Sequence, residues 1–118
     1  VLLLAVIAKG GTAAPLDPKL PAEALRSALQ QLRCQLVLAT EATAAKLKDQ
    51  DVPVLVVAPD PGACGAIRWP SGIEAGPVPH NLPAERPVLL LRTSGTTAKP
   101  KVVPLSLANL RHGALALA

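Results

Sequence analysis

Thr93-Ser94-Gly95-Thr96-Thr97-Ala98-Lys99-Pro100-Lys101 places four hydroxyl side chains, a glycine and two lysines shortly after an apolar run. Phosphate oxygens take donors from several directions, and hydroxyls and exposed backbone N–H groups supply them. Glycine lets the backbone come close without a Cβ in the way. Lys101 adds a positive point charge, and Pro100 stiffens the chain before it, which reduces the freedom of the ammonium group. The pattern is not the GxxxxGK[ST] loop, because Pro100 stands where its second glycine belongs and Val102 follows the lysine. On composition alone, an ordinary Ser/Thr/Gly turn between strands accounts for the stretch equally well.

The remaining chemistry-bearing residues form no competing set. Cys34 and Cys64 have neither CxxC nor Cys/His spacing, so no metal site and no disulfide framework is expected. Cys34 falls between a helix and a strand and reads as a small buried hydrophobe. His80 and His112 read as structural or exposed. Lys9, Lys19, Lys46 and Lys48 read as solvated charges, and Asp17 and Asp60, beside prolines, suit turns. Net charge is +4, but the basic residues are scattered and Trp69 is the only aromatic. Stacking platforms and a basic face are both missing, which argues against a nucleic-acid partner.

The elements that must position these groups follow from hydrophobic patterning. Half the residues are apolar and 17% are charged, as suits a folded α/β chain. With one Trp and no Phe, Tyr or Met, the core comes from Leu, Val, Ala and Ile and is expected to be thin. Residues 1–8 are too short to cross a bilayer. They lack the basic leader of a signal peptide and predict a buried helix, closed by Lys9-Gly10-Gly11. Pro21 and Glu23 open a second helix, with Leu25, Ala28, Leu29 and Leu32 in one stripe.

Residues 35–39 and 52–57 are continuous apolar runs around a helix from Glu41 to Lys48, which Thr40 can cap. This predicts parallel strands covered on both faces. Residues 58–87, rich in Pro and Gly, predict a long surface loop pinned by Trp69. Strands near 88–92 and 102–105 flank the hydroxyl-rich stretch, and a helix begins near Ser106. The fold class is α/β: a partial three-layer sheet with parallel early strands, incomplete as a domain.

The hydroxyl-rich stretch resembles the [ST]-S-G-[ST]-T-G-x-P-K-G signature of the adenylate-forming superfamily of acyl-CoA synthetases, luciferases and peptide-synthetase adenylation domains. Thr93, Ser94, Gly95, Thr96, Thr97, Pro100 and Lys101 match. Upstream, Leu4-Ala-Val-Ile-Ala-Lys9-Gly-Gly-Thr-Ala-Ala-Pro15-Leu-Asp-Pro18 is similar to the family's L-K-A-G-G-A-Y-V-P-L-D-P segment. Ala98 and Val102 stand where the signature has Gly, and the extra Cβ atoms are expected to narrow the loop or restrict its motion. Leu107 stands where many members have His, and Asn109-Leu110 match. The run 100–105 is most similar to the oxalate–CoA ligase branch.

The resemblance implies an N-terminal fragment, residues 1–118, of the AMP-binding domain of an ATP-dependent, AMP-forming carboxylate ligase. Two antiparallel strands would flank its phosphate loop, residues 93–101. ATP and Mg²⁺, a carboxylic acid, and CoA or a carrier thiol are the implied cofactor and partners. Thr93, Ser94, Gly95, Thr96, Thr97 and Lys101 would surround the β- and γ-phosphates, with Lys101 and Thr96 in the catalytic roles. A cytoplasmic or peroxisomal setting is expected, and no transmembrane segment. The parts that hold adenine, ribose and the carboxylate cannot be mapped on this chain, which is therefore expected to be inactive alone, marginally stable and partly apolar at its surface. A truncated paralogue that holds a phosphate or a partner is the alternative.

Overall fold

The computed structural model describes residues 2–72, 76–77, 81–93 and 100–117. The chain forms two compact units, residues 1–16 with 76–118, and residues 17–75.

In the first unit, α1 (Leu2–Ala8) ends as its sequence predicts. Gly10 adopts φ 78°, and the Gly10 and Gly11 amides donate to the carbonyls of Ile7 and Val6, both at 2.9 Å. These two bonds satisfy helix carbonyls that would otherwise be left open. Gly11 has a second reason to lack a side chain: an added Cβ would lie 2.8 Å from Val6 Cγ1 and 3.0 Å from its carbonyl oxygen. The helix is not buried all round, since Ile7 is buried while Leu4 faces water. Lys9 is no free surface charge either; its ammonium group donates to the Gly76 carbonyl.

Strand β5 (Pro87–Thr93) pairs antiparallel with β6 (Lys101–Ser106), and Ala13 forms a single parallel bridge to Leu89. Ile7, Ala13, Val88 and Leu89 form the buried cluster, with Leu3, Val6, Leu105, Leu107 and Leu110 against it. Two successive strand residues, Val88 and Leu89, are both buried, where a strand covered on one face would alternate. A β-bulge explains it. Pro87 pairs with Ser106 and Leu89 with Leu105, so Val88 is an extra residue in β5.

After β6 comes α4 (Leu107–Ala116), with Ser106 at its N-cap. The Asn109 amide donates to Ser106 Oγ at 3.2 Å, and the Ser106 amide donates to Asn109 Oδ1 at 2.9 Å. Both bonds use otherwise open donors. Because Ser106 is buried, Ser106→Ala should cost about 1–2 kcal/mol of unfolding free energy in a denaturant titration.

In the second unit, Asp17 builds the expected turn by accepting the Lys19 amide at its carboxylate, 2.9 Å away. Lys46, read from sequence as solvated, donates to the Pro18 and Leu20 carbonyls at 2.8 and 3.3 Å. It therefore ties that turn to the short 3₁₀ turn Ala45–Leu47. Helix α2 (Ala22–Leu32) buries Leu25, Ala28 and Leu29, the predicted stripe. It ends on Arg33 at φ 50°, ψ 48°, with the Arg33 and Cys34 amides donating to the Gln30 and Leu29 carbonyls. A side chain in this left-handed position costs roughly 1–2 kcal/mol. Arg33→Gly should therefore raise stability by about 0.5 kcal/mol, the larger entropy of unfolded Gly offsetting part of the relief. A thermal melt reads this as a higher midpoint.

Strands β1 (Val37–Ala39) and β2 (Val54–Val56) are parallel as expected, with Val37 opposite Val54. The helix between them is α3 (Glu41–Ala44), which tightens into the 3₁₀ turn. Thr40 sits at the α3 N-cap, but its hydroxyl meets Thr43 Oγ1 rather than a helix amide. The strands are less covered than their apolar runs imply, since Val56 and Leu36 are exposed. Within the Pro/Gly-rich region, β3 (Ala58–Pro59) and β4 (Ile67–Arg68) make a small antiparallel pair. Asp60 turns the chain there, its carboxylate accepting the Gly62 amide at 2.9 Å. Trp69 is 48% exposed and does not anchor this region. Among the described residues no helix is long and apolar enough to cross a membrane.

Candidate functional site

The site lies at the open end of the β5–β6 pair. Antiparallel register sets Thr93 opposite Lys101, and opposed residues share one sheet face with their Cβ atoms about 5 Å apart. Both residues are exposed. Behind them on the same face stand Leu91 opposite Val103 and Leu89 opposite Leu105. Leu91 and Val103 are 37% and 39% exposed, so an apolar step adjoins the polar pair. Ser94, Gly95, Thr96 and Thr97, the other sequence-predicted site residues, lie outside the described residues.

Arg92 and Val102 occupy the opposite face. Val102 lies in the strand, half-buried, where a β-branched residue suits the pleat better than glycine. Its Cβ points away from the Lys101 face, so it does not crowd those donors. Arg92 was not singled out by the sequence reading. Its Nε is buried without a hydrogen-bond partner, and its place directly before the hydroxyl run was the available signal.

A helix N-terminus is the usual second source of anion-binding donors. The start of α4 is already committed. The Leu107 amide donates to the Arg86 carbonyl at 3.3 Å and the Ala108 amide to the Ala84 carbonyl at 2.9 Å. Ser106 Oγ takes the Asn109 amide. These first amides of α4, at the other end of β6 from Lys101, are therefore not open to an anion.

Elsewhere the described residues offer little chemistry. In the second unit, Leu29, Gln30, Arg33, Cys34, Asp51 and Val52 line an open hollow of about 320 Å³. Cys34 is a free thiol, and burial pushes its pKa up, so it stays protonated and is a poor nucleophile. Cys64 is free and exposed, as is the side chain of His112, while His80 lies outside the described residues. No group of three His, Cys, Asp or Glu converges among the described residues.

The chain thus carries an antiparallel hairpin whose strands flank a hydroxyl- and glycine-rich sequence, and a parallel β-α-β unit. The chain belongs to the AMP-binding enzyme family, whose sequence model it matches over residues 1–118. It is 32% identical over 108 residues to malformin synthetase mlfA of Aspergillus niger, covering 87% of this chain and 2% of that protein. It is 35% identical over 105 residues to the nonribosomal peptide synthetase otaB of the same species, covering 89% and 5%.

With the non-canonical peptide synthetase FrzA of a Cladobotryum species, identity is 32% over 112 residues, covering 95% and 10%. Among solved structures, ATP-bound MatB from Rhodopseudomonas palustris superposes with a TM-score of 0.75 at 24% identity, covering 98% of this chain and 24% of MatB. The chain thus spans a small part of the peptide synthetases and about a quarter of MatB. The α/β fold expected from sequence, with its parallel and antiparallel strand pairs, is that of the MatB structure.

Proposed function

We propose that this chain supplies the triphosphate-binding hairpin of an ATP-dependent, AMP-forming carboxylate ligase. The observation that carries the reading is the Thr93–Lys101 pair, held on one face where β5 and β6 open into the Ser94-Gly95-Thr96-Thr97 stretch. That MatB, of the same fold, was solved with ATP bound supports it.

In the proposed reaction a carboxylate oxygen attacks the α-phosphorus of ATP. The bond from that phosphorus to the oxygen bridging it to the β-phosphate breaks, and pyrophosphate leaves with the electron pair. Negative charge grows on the departing group. The Lys101 ammonium and the hydroxyls of Thr93, Ser94, Thr96 and Thr97 answer that charge and keep the β- and γ-phosphates in line with the attack. Gly95 lets the backbone amides approach. Mg²⁺ would travel with the phosphates, since it keeps most of its waters and needs few protein ligands. The thiolate of CoA or of a carrier then attacks the acyl carbon, the bond from that carbon to the phosphate oxygen breaks, and AMP leaves as the thioester forms.

The test is carboxylate-dependent exchange of labelled pyrophosphate into ATP by the full-length gene product, screened over amino, fatty and dicarboxylic acids. Exchange with at least one acid is expected. Failure of every acid, together with no binding of MgATP in a calorimetric titration, would overturn the reading.

A further inference from the structure

The bulge in β5 decides which residue stands opposite Lys101. If the pairing that begins at Pro87 and Ser106 ran on without an extra residue, Lys101 would face Arg92. Two cations would then oppose each other, and Thr93 would move to the other face, because a one-residue slip inverts every side chain. With Val88 as the extra residue, Lys101 faces Thr93 instead.

The segment that follows α1 grips this bulge. Thr12 Oγ1 donates to the Pro87 carbonyl at 2.8 Å. The Ala13 amide donates to the Val88 carbonyl at 2.9 Å, and the Leu90 amide donates to the Ala13 carbonyl at 2.8 Å. Just upstream, the Arg86 guanidinium donates to the Gly10 carbonyl. The bulge residue and its neighbours are thus hydrogen-bonded on the edge away from β6. Among the described residues, Thr12 supplies the side-chain bond, to the Pro87 carbonyl that precedes the bulge residue.

We propose that Thr12 and Arg86 are positioning residues, which lock the β5 bulge and so hold Thr93 and Lys101 on one face toward the nucleotide. The proposal rests on the phosphate-binding reading of the hairpin. The clamp lies at the far end of β5 from Thr93, so it acts through register and not through contact. Coupling through packed elements of this kind changes affinity by roughly twofold to thirtyfold.

The test uses the full-length gene product with Thr12→Val, which keeps the shape and removes the donor, Thr12→Ser, which restores the donor, and Arg86→Gln. Two readouts are taken. One is the KM for MgATP in pyrophosphate exchange. The other is disulfide formation between Leu91→Cys and Val103→Cys, a pair opposed only in the bulged register. Thr12→Val and Arg86→Gln should raise KM about fivefold and slow the cross-link, while Thr12→Ser stays at the parental values.

An unchanged cross-link rate in Thr12→Val overturns the register lock, as does a lower folded fraction with an unaltered KM per folded molecule. Lys101→Ala separates the two ideas. If it raises KM while Thr12→Val does not, the lock alone fails. If Lys101→Ala leaves nucleotide kinetics untouched, the phosphate reading fails and the positioning role goes with it.

Discussion

Lys101→Ala should lower kcat/KM for adenylate formation by about 10²–10³, the scale set by deleting one preorganised donor from a transition state that gains charge. Lys101 is exposed at the hairpin end, opposite Thr93. Stability should therefore change by less than about 0.5 kcal/mol, so the loss can be assigned to chemistry. Lys101→Arg should recover part of the activity, since the charge returns but the compact ammonium does not. Thr93→Val should cost about tenfold, as befits one neutral hydroxyl among several. Pyrophosphate exchange at saturating carboxylate measures all three. Parental activity in Lys101→Ala would remove the lysine from the mechanism.

Leu89→Ala should cost about 2–5 kcal/mol in unfolding free energy. Leu89 is buried in the cluster with Ile7, Ala13 and Val88, and β6 and α4 contribute Leu105, Leu107 and Leu110 around it. No aromatic residue belongs to this cluster, so the surrounding side chains are small and collapse poorly into the space. A domain of ordinary stability holds only about 5–15 kcal/mol in all. The substitution should therefore bring this unit close to its unfolding threshold at ordinary temperature. Chemical denaturation followed by circular dichroism reads the midpoint. A shift corresponding to less than about 1 kcal/mol would mean that the cluster repacks, and that the thin-core account is wrong.

Exposed apolar surface agrees with that account. Leu115 and Leu117 on and after α4, Leu36, Val56 and Trp69 all face water to a large degree. The expectation of exposed apolar surface came from the family's parts that cannot be mapped on this chain, and that of a thin core from a composition without Phe, Tyr or Met.

Much of the local structure was legible because its causes are local. Gly10 and Gly11 end α1 through backbone freedom and close approach to Val6. Ser106 starts α4 by capping it, and Asp17 and Asp60 turn the chain by accepting amides two residues on. The strands flanking the hydroxyl-rich stretch also ran close to their expected bounds, because each is a short apolar run ended by polar residues. Long basic side chains were the least readable. Lys9 and Lys46 look like surface charges in sequence, yet each donates to a carbonyl distant along the chain, as does Arg86, which the sequence reading did not single out. Trp69 misled in the other direction: its size implies an anchor, but about half of it faces water.

By itself the sequence determined which chemistry is present: four hydroxyls, a glycine and two lysines in one stretch, with caps and turns to either side. Only the tertiary structure decided that Thr93 and Lys101 share a face. Side chains on a strand alternate with a period of two, so their direction follows from the register between strands. That register depends on one extra residue, Val88, and on hydrogen bonds from Thr12 and Ala13, which lie far away in the chain.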